Sequence, residues 1–350
     1  MIKLANNIYR SDEVISCINF LKNSDVVFAG TLSENDFNNF HFENPKIISK
    51  KNGLVTFVNL VFDLNENNSI YCQLEFLEVL FRLINNLNFK NIKIISTQSD
   101  RRITKDLFNQ KPKCVSKWYS INVDYKNECL VSIPLGIASY RNTKSVIYDD
   151  FVNLEQQKKI KNSFYTNFNI NTNYFHRIQA QKSISTHLEQ NVLDNIDYIS
   201  YLRNLSSSTY SITPWGNGYD THRFWESLYC GTIPITIKNI HYDSFDDLPI
   251  ILLNNYDEIK DIDNSYNFYD KNLKKLNIKW WLDQFKTKVD SDLHEVQINF
   301  DKSDINFLKT HLLKIKYKDK SKKIFYTFLR KIHKKLIALV GFDLFYLRRK

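Results

Sequence analysis

The chain has little of what marks a secreted, metal-stapled or membrane-spanning protein. Its five cysteines, Cys17, Cys72, Cys114, Cys129 and Cys230, are scattered, odd in number and include no C-x-x-C pair. That pattern argues against a zinc site and a disulfide framework, and predicts reduced thiols in a cytoplasmic setting. No apolar run approaches the roughly 18 to 20 residues a membrane helix needs. The residues after Met1 hold no apolar run of signal-peptide length. His176, His187, His241, His294, His311 and His333 show no ligand spacing. Internal repeats and low-complexity segments are lacking too. Only seven residues are glycine, and no G-x-G-x-x-G stands near an early strand. That counts against a nucleotide-sugar enzyme of another reaction, such as an epimerase, which would want that motif.

What is present suits a globular protein of two ordinary domains: 350 residues, 43% hydrophobic and 14% aromatic. The formal charge of +10 is concentrated at one end. From Lys309 to Lys350 there are fourteen Lys or Arg against two acids, Asp319 and Asp343, which leaves the first 308 residues near −2. The globular part thus carries no electrostatic footprint for nucleic acid.

Short apolar runs alternate with helix-like stretches, the pattern of α/β layering. Strands are predicted at Val26 to Gly30, Leu54 to Leu60, Ile92 to Ser96 and Val131 to Ile137, with an apolar-faced helix over Cys72 to Leu87. That helix and the strand at Ile92 suggest a right-handed βαβ unit. A polar link over Tyr140 to Lys161 precedes a second set. It comprises Phe164 to Phe168, a helix around Phe175 to Ile184, and strands at Tyr210 to Thr213, Ile233 to Ile237 and Ile250 to Leu253. The expected domains are 1–145, 146–308 and a basic tail, 309–350.

The most informative stretch runs from Ser211 to Ile235 and reads strand, glycine loop, helix, glycine stop, strand. Gly216 and Gly218 flank Asn217, a pattern that permits positive φ and close approach of a ligand to the backbone. Asp220 or Thr221 is placed to cap a helix over Thr221 to Cys230, and Gly231 to end it. His222 and Arg223 fall in its first turn, where free N–H groups and a guanidinium suit a diphosphate. Glu226 shares their face and can accept from the vicinal hydroxyls of a ribose. Read blandly, the same residues are a common turn and a surface ion pair.

This stretch resembles the exostosin-type glycosyltransferases, including bacterial and viral members of surface-glycan gene clusters. The likeness lies in Pro214-Trp-Gly216, the loop Asn217 to His222, Arg223-Phe-Trp-Glu-Ser-Leu228 and Gly231-Thr-Ile-Pro-Ile235. Ser99-Asp-Arg-Arg-Ile103, Lys117-Trp118, Ile133-Pro-Leu-Gly136 and Tyr165 to Thr172 with Arg177 look like further landmarks, so the resemblance spans roughly residues 90 to 285. It implies a GT-B fold, two Rossmann-like domains facing a cleft, with a nucleotide-sugar donor held on the second by Arg223 and Glu226. It also implies an inverting, metal-independent transfer, with UDP the leading donor nucleotide. Trp215 departs from the pattern, standing where the family usually has arginine. The diphosphate would then rest on Arg223, Arg177 and the helix start, and Trp215 could stack on a base or sugar.

Such a transfer needs a base for the acceptor hydroxyl. Asp100, at the carboxyl end of the predicted strand Ile92 to Ser96, is the candidate, although a turn or cap aspartate is the commoner role for such a residue. Arg101 and Arg102 beside it suit an acidic acceptor or plain surface charge. No cofactor is expected. The acidic pairs that would bind a cation, Asp149-Asp150, Asp261-Ile-Asp263 and Asp290-Ser-Asp292, are short enough to arise by chance. Along the tail, Phe325, Phe328, Leu329, Ile332, Leu336, Leu339 and Val340 fall at helical spacing opposite Lys and Arg. This is the pattern of a helix on an anionic membrane surface, where it would meet a lipid-linked acceptor, or of a helix docked on the protein. The competing reading of the whole chain is a non-enzymatic adaptor that binds membrane or nucleic acid through this tail.

Overall fold

The structure, a computed structural model, describes residues 1–4, 7–141, 145–155, 157–193, 196–262, 267–285 and 295–340. For 318–320, 322–323 and 333–340 it gives the backbone alone. The chain divides into two compact units, Met1–Asn299 and Phe300–Lys350. The first is α/β, and the second is dominated by one long helix.

The first unit contains a seven-stranded mixed sheet. Its strands are β1 (Val26–Ser33), β2 (Pro45–Lys51), β3 (Leu54–Asn59), β4 (Ser69–Gln73), β5 (Ile92–Thr97), β6 (Val115–Ser120) and β7 (Leu130–Ser132). The spatial order is β7-β6-β5-β4-β1-β3-β2. All pairs from β7 to β1 are parallel, and β3 and β2 add an antiparallel edge. Every residue of β5 is buried, as expected of a central parallel strand covered on both faces. The β2–β3 turn is Asn52-Gly53, both at positive φ, the two-residue connection that matches the twist of a hairpin.

Two of the sequence expectations for this half need correction. The helix predicted from Cys72 begins later: Ser69 to Gln73 is strand, Leu74–Phe76 is a 3₁₀ turn, and α1 covers Leu77–Ile84. Cys72 is held in the sheet between Ala29 and Ser96, and a buried apolar run does not reveal its period. The strand predicted at Val131 to Ile137 stops at Ser132. Pro134 has no N–H to donate, and Gly136 turns to φ +72, where a Cβ would lie 2.0 Å from the Ile15 carbonyl oxygen.

A second sheet of four parallel strands runs in sequence order: β8 (Ile160–Tyr165), β9 (Ser208–Ile212), β10 (Ile233–Ile237) and β11 (Ile251–Leu253). Helices α2 (Tyr174–His187) and α3 (Tyr198–Ser207) connect β8 to β9, and α4 (His222–Tyr229) connects β9 to β10. The expected polar link holds a short helix at Tyr148–Val152.

The chain then returns to the first sheet. Helix α5 (Ile278–Phe285) places the Phe285 ring against Tyr119 at 4.5 Å and Phe20 at 6.0 Å. Lys93 Nζ donates to the Phe285 carbonyl and Tyr119 Oη to that of Gln284. The strand Glu295–Asn299 pairs antiparallel with Val61–Asn65. In the second unit, α6 covers Lys302–Val340.

Candidate functional site

The loop from Thr213 to Thr221 leaves the carboxyl end of β9 and enters α4, the side of a parallel sheet where ligands bind. A buried guanidinium fixes its course. Arg177 of α2 donates to the carbonyls of Trp215 (2.9 Å), Asn169 (2.7 Å) and Pro214 (3.4 Å). The side chain expected to face a diphosphate is therefore committed, in this structure, to shaping the loop. Asn173 Nδ2 adds a bond to the Gly216 carbonyl at 2.7 Å.

Trp215 is clamped in turn. Its indole N–H donates to the Ile237 carbonyl at 3.2 Å, and its ring stacks on His176 at 4.4 Å and meets Tyr219 edge-on at 4.6 Å. Burial, reinforced by the nearby Arg177 and Arg102 charges, lowers the His176 pKa to about 4, so this stacked ring is neutral at physiological pH.

Gly216 and Gly218 do not use positive φ, contrary to expectation. Close approach explains Gly218 instead: a Cβ there would lie 2.6 Å from both Nδ2 and Oδ1 of Asn122. Asn122, just past β6, joins three segments. Its Oδ1 accepts from the Asp220 N–H at 2.9 Å and its Nδ2 donates to the Ser99 carbonyl at 3.0 Å.

Asp220 is not the helix cap. Its enclosed carboxylate accepts from Trp225 Nε1 (2.7 Å), the Leu135 N–H (2.8 Å) and His241 Nε2 (3.1 Å). Thr221 occupies the N-cap position without making a side-chain capping bond. The Phe224 N–H bonds to the Thr221 carbonyl at 3.1 Å, and among the described residues no capping side chain meets the first turn of α4.

Around that helix start lies a set of buried polar atoms with no hydrogen-bond partner: Thr221 Oγ1, Arg223 Nε, Asn167 Nδ2, Tyr165 Oη and Ser211 Oγ. Tyr165 and Ser211 are register partners at the ends of β8 and β9. Arg223 approaches Asn167 Oδ1 only at 3.5 Å, and its guanidinium sits 5.7 Å from the Tyr201 ring centre. Enclosing polar groups without partners costs stability, about 1 to 3 kcal/mol each. Such atoms call for a partner, and a bound water or a polar ligand would supply one.

Glu226, one turn along α4, is buried and accepts from Tyr201 Oη at 2.6 Å. Burial raises its pKa, while the Tyr201 hydroxyl and the His222 and Arg223 charges pull it back. Burial likewise raises the Tyr165 and Tyr201 phenols, which stay protonated donors.

The first sheet supplies the opposite wall. His222 Nδ1 donates to the Gly136 carbonyl at 2.7 Å. Asp100 is exposed and accepts from Asn217 Nδ2 at 3.1 Å, so the two loops meet through the predicted pair. Arg102 lies 4.0 Å from the Tyr219 ring centre and donates to its hydroxyl at 2.9 Å. Arg101 is held in a two-point pair by Glu78.

The remaining acidic candidates fall elsewhere. Asp149 and Asp150 start the short helix Tyr148–Val152, where Asp150 accepts from the Ile147 N–H at 2.9 Å, so no strand delivers them. Asp263, Asp290, Asp292 and His294 lie outside the described residues. Among the described residues no three His, Cys, Asp or Glu are grouped to hold a metal ion.

Of the residues named from the sequence, Gly216, Asn217, Gly218, His222, Arg223 and Glu226 lie along the loop and first turns of α4, Asp100 meets Asn217, and Arg177 and Trp215 hold the loop's own backbone. Sequence reasoning missed the work of Asn122, Tyr201 and Asp220, whose signal is spatial: each joins segments far apart in the chain. No family model matches the chain, and a search of curated proteins finds no match.

Proposed function

We propose that the protein is a glycosyltransferase that binds a nucleotide-sugar at the start of α4 and transfers the sugar to a glycan or lipid-linked acceptor. The observation that carries this reading is the set of unpartnered buried donors around Arg223, set against the uncapped first turn of a helix. Those groups suit a diphosphate, and Glu226 one turn away suits the hydroxyls of the attached ribose. UDP is the nucleotide the resemblance favours, and the sugar is a hexose or pentose. This reading goes with a GT-B-like arrangement, in which the donor would sit on the second sheet beside loops from the carboxyl ends of the first.

In the transfer, the acceptor hydroxyl oxygen attacks the anomeric carbon as the bond to the departing phosphate oxygen breaks, inverting the centre. Arg223 and the α4 amides stabilise the charge that develops on the diphosphate, without a metal ion. One such contact contributes about 2.7 to 4 kcal/mol to the transition state. Asp100 takes the acceptor proton. Arg177 holds the loop shape on which these distances depend.

A thermal-shift panel of nucleoside diphosphates tests the reading. At about a hundredfold excess over Kd, the preferred one raises Tm by several degrees, and Arg223→Ala removes the rise. If no member of the panel stabilises the wild type, or if Arg223→Ala keeps the shift, the reading fails and the adaptor alternative takes its place.

A further inference from the structure

The second unit presents apolar side chains to solvent that a helix of this composition has no reason to expose unless something covers them. In α6, Phe325 is 58% exposed, Phe328 60% and Ile332 37%. Phe325, Phe328, Leu329 and Ile332 lie three and four residues apart, on one stripe of the helix. Arg330 and Lys331 fall between them in sequence and turn to other sides, and Lys331 is exposed. From residue 309 to 350 fourteen basic residues face two acidic ones. No described helix is long and apolar enough to cross a membrane.

We infer that α6 is a lipid-docking helix, lying along an anionic membrane surface with the Phe325 to Ile332 stripe inserted among the acyl chains. Charge decides among the occupants such a stripe could take. A second copy of the chain would bring two strongly basic helices together, which their like charge opposes. A nucleic acid would satisfy the lysines, but its phosphate backbone offers nothing to Leu329 and Ile332. An anionic bilayer satisfies both sides at once, with phosphate headgroups for the basic residues and hydrocarbon for the stripe. The inference stands apart from the nucleotide-sugar reading, because lipid docking and nucleotide binding rest on different residues and different units.

Flotation of the full chain with vesicles tests it. Phosphatidylcholine vesicles containing about a third phosphatidylserine should carry the protein upward, neutral vesicles should not, and raised salt should release it. The double substitution Phe325→Ser with Phe328→Ser should lower partitioning about tenfold or more. Arg330→Gln and Lys331→Gln should cost about fivefold each. Helix content by circular dichroism and the Tm of the body serve as folding controls, and the charge variants keep the test decisive if the Phe pair unfolds.

Equal binding to neutral vesicles, no binding to either kind, or indifference to both sets of substitutions overturns the inference. So does displacement of bound vesicles by a stoichiometric single-stranded oligonucleotide. A dimer in sedimentation equilibrium that the Phe pair dissolves, with lipid binding unchanged, overturns it as well.

Discussion

Glu226 is a buried acid whose place in the fold costs stability at neutral pH. Its carboxyl is buried, and burial raises its pKa more than Tyr201, His222 and Arg223 lower it. The folded state therefore holds this proton more tightly than the unfolded chain does. Its contribution to stability is fully present below the ordinary glutamate value, near about 4.3, and is lost as pH rises through the raised value. Glu226→Gln removes that loss and keeps an oxygen for the Tyr201 hydroxyl. The variant should match or exceed wild-type Tm at pH 7, lose the wild type's decline in Tm above pH 4.5, and lose most of the nucleotide-induced shift. Thermal melts from pH 4 to 8, with and without UDP, check all three. A variant several degrees less stable at pH 7 would show that the carboxylate serves folding instead. Stabilisation accompanied by lost binding is the expected sign of a functional residue. The position of Glu226 on α4 near Arg223 was legible from its spacing, whereas its hydrogen bond to Tyr201 was not, because α3 had no distinctive pattern.

At the scale of elements, the strands with strong apolar runs were legible, and so was the loop-helix-strand unit at Ser211 to Ile237. Ile233 to Ile237 is strand β10 as read, and α4 spans His222–Tyr229 within the expected helix. Boundaries were lost where tertiary context overrides local pattern, as at Cys72 and at Gly136. The Asn52-Gly53 turn is a signal that could have located the β2–β3 hairpin. The far end of α4 holds the group whose role no motif announces. Lys159 Nζ donates to the carbonyls of Ser208 (2.9 Å) and Cys230 (3.2 Å) and to Thr232 Oγ1 (2.8 Å). The negative end of the helix favours the ammonium, but among the described residues no carboxylate pairs with it, and burial lowers its pKa to about 8. Between that value and the unfolded lysine near about 10.4, the unfolded chain binds more protons, so stability rises with pH. The rise amounts to about 2 kcal/mol from pH 7 to 9.5 if the shift is complete. Denaturant unfolding of wild type and Lys159→Met at those two pH values measures it as a difference. An identical pH dependence in the two proteins would show that the ammonium is not held in the interior.

At the scale of the whole molecule, the sequence suggested two α/β halves with a division near residue 145 and a tail from 309; residues 1–299 form one compact unit that holds both main sheets. The chain returns to the first sheet after β11, adding to the loop contacts through Asn122, Asp220 and His222. Residues 278–285 dock on the first sheet and 295–299 pair with 61–65, although sequence position alone groups them with the second. A return of this kind is invisible locally, since its apolar residues read as an ordinary amphipathic helix. It has a thermodynamic consequence. Because Lys93, Tyr119 and Phe20 of the first half grip α5, unfolding of either sheet strips contacts from the other. Calorimetry should then show one transition for residues 1–299, and a nucleotide bound beside α4 should move that transition as a whole. Phe285→Ala removes a ring packed against two others and should cost about 3 to 5 kcal/mol. It should also split the endotherm, so that ligand shifts only the component containing the second sheet. Two transitions in the wild-type protein would show that the two sheets unfold independently, and a single ligand-shifted transition that survives Phe285→Ala would show that the loops around Asn122 and Asp220 couple them without the return strap.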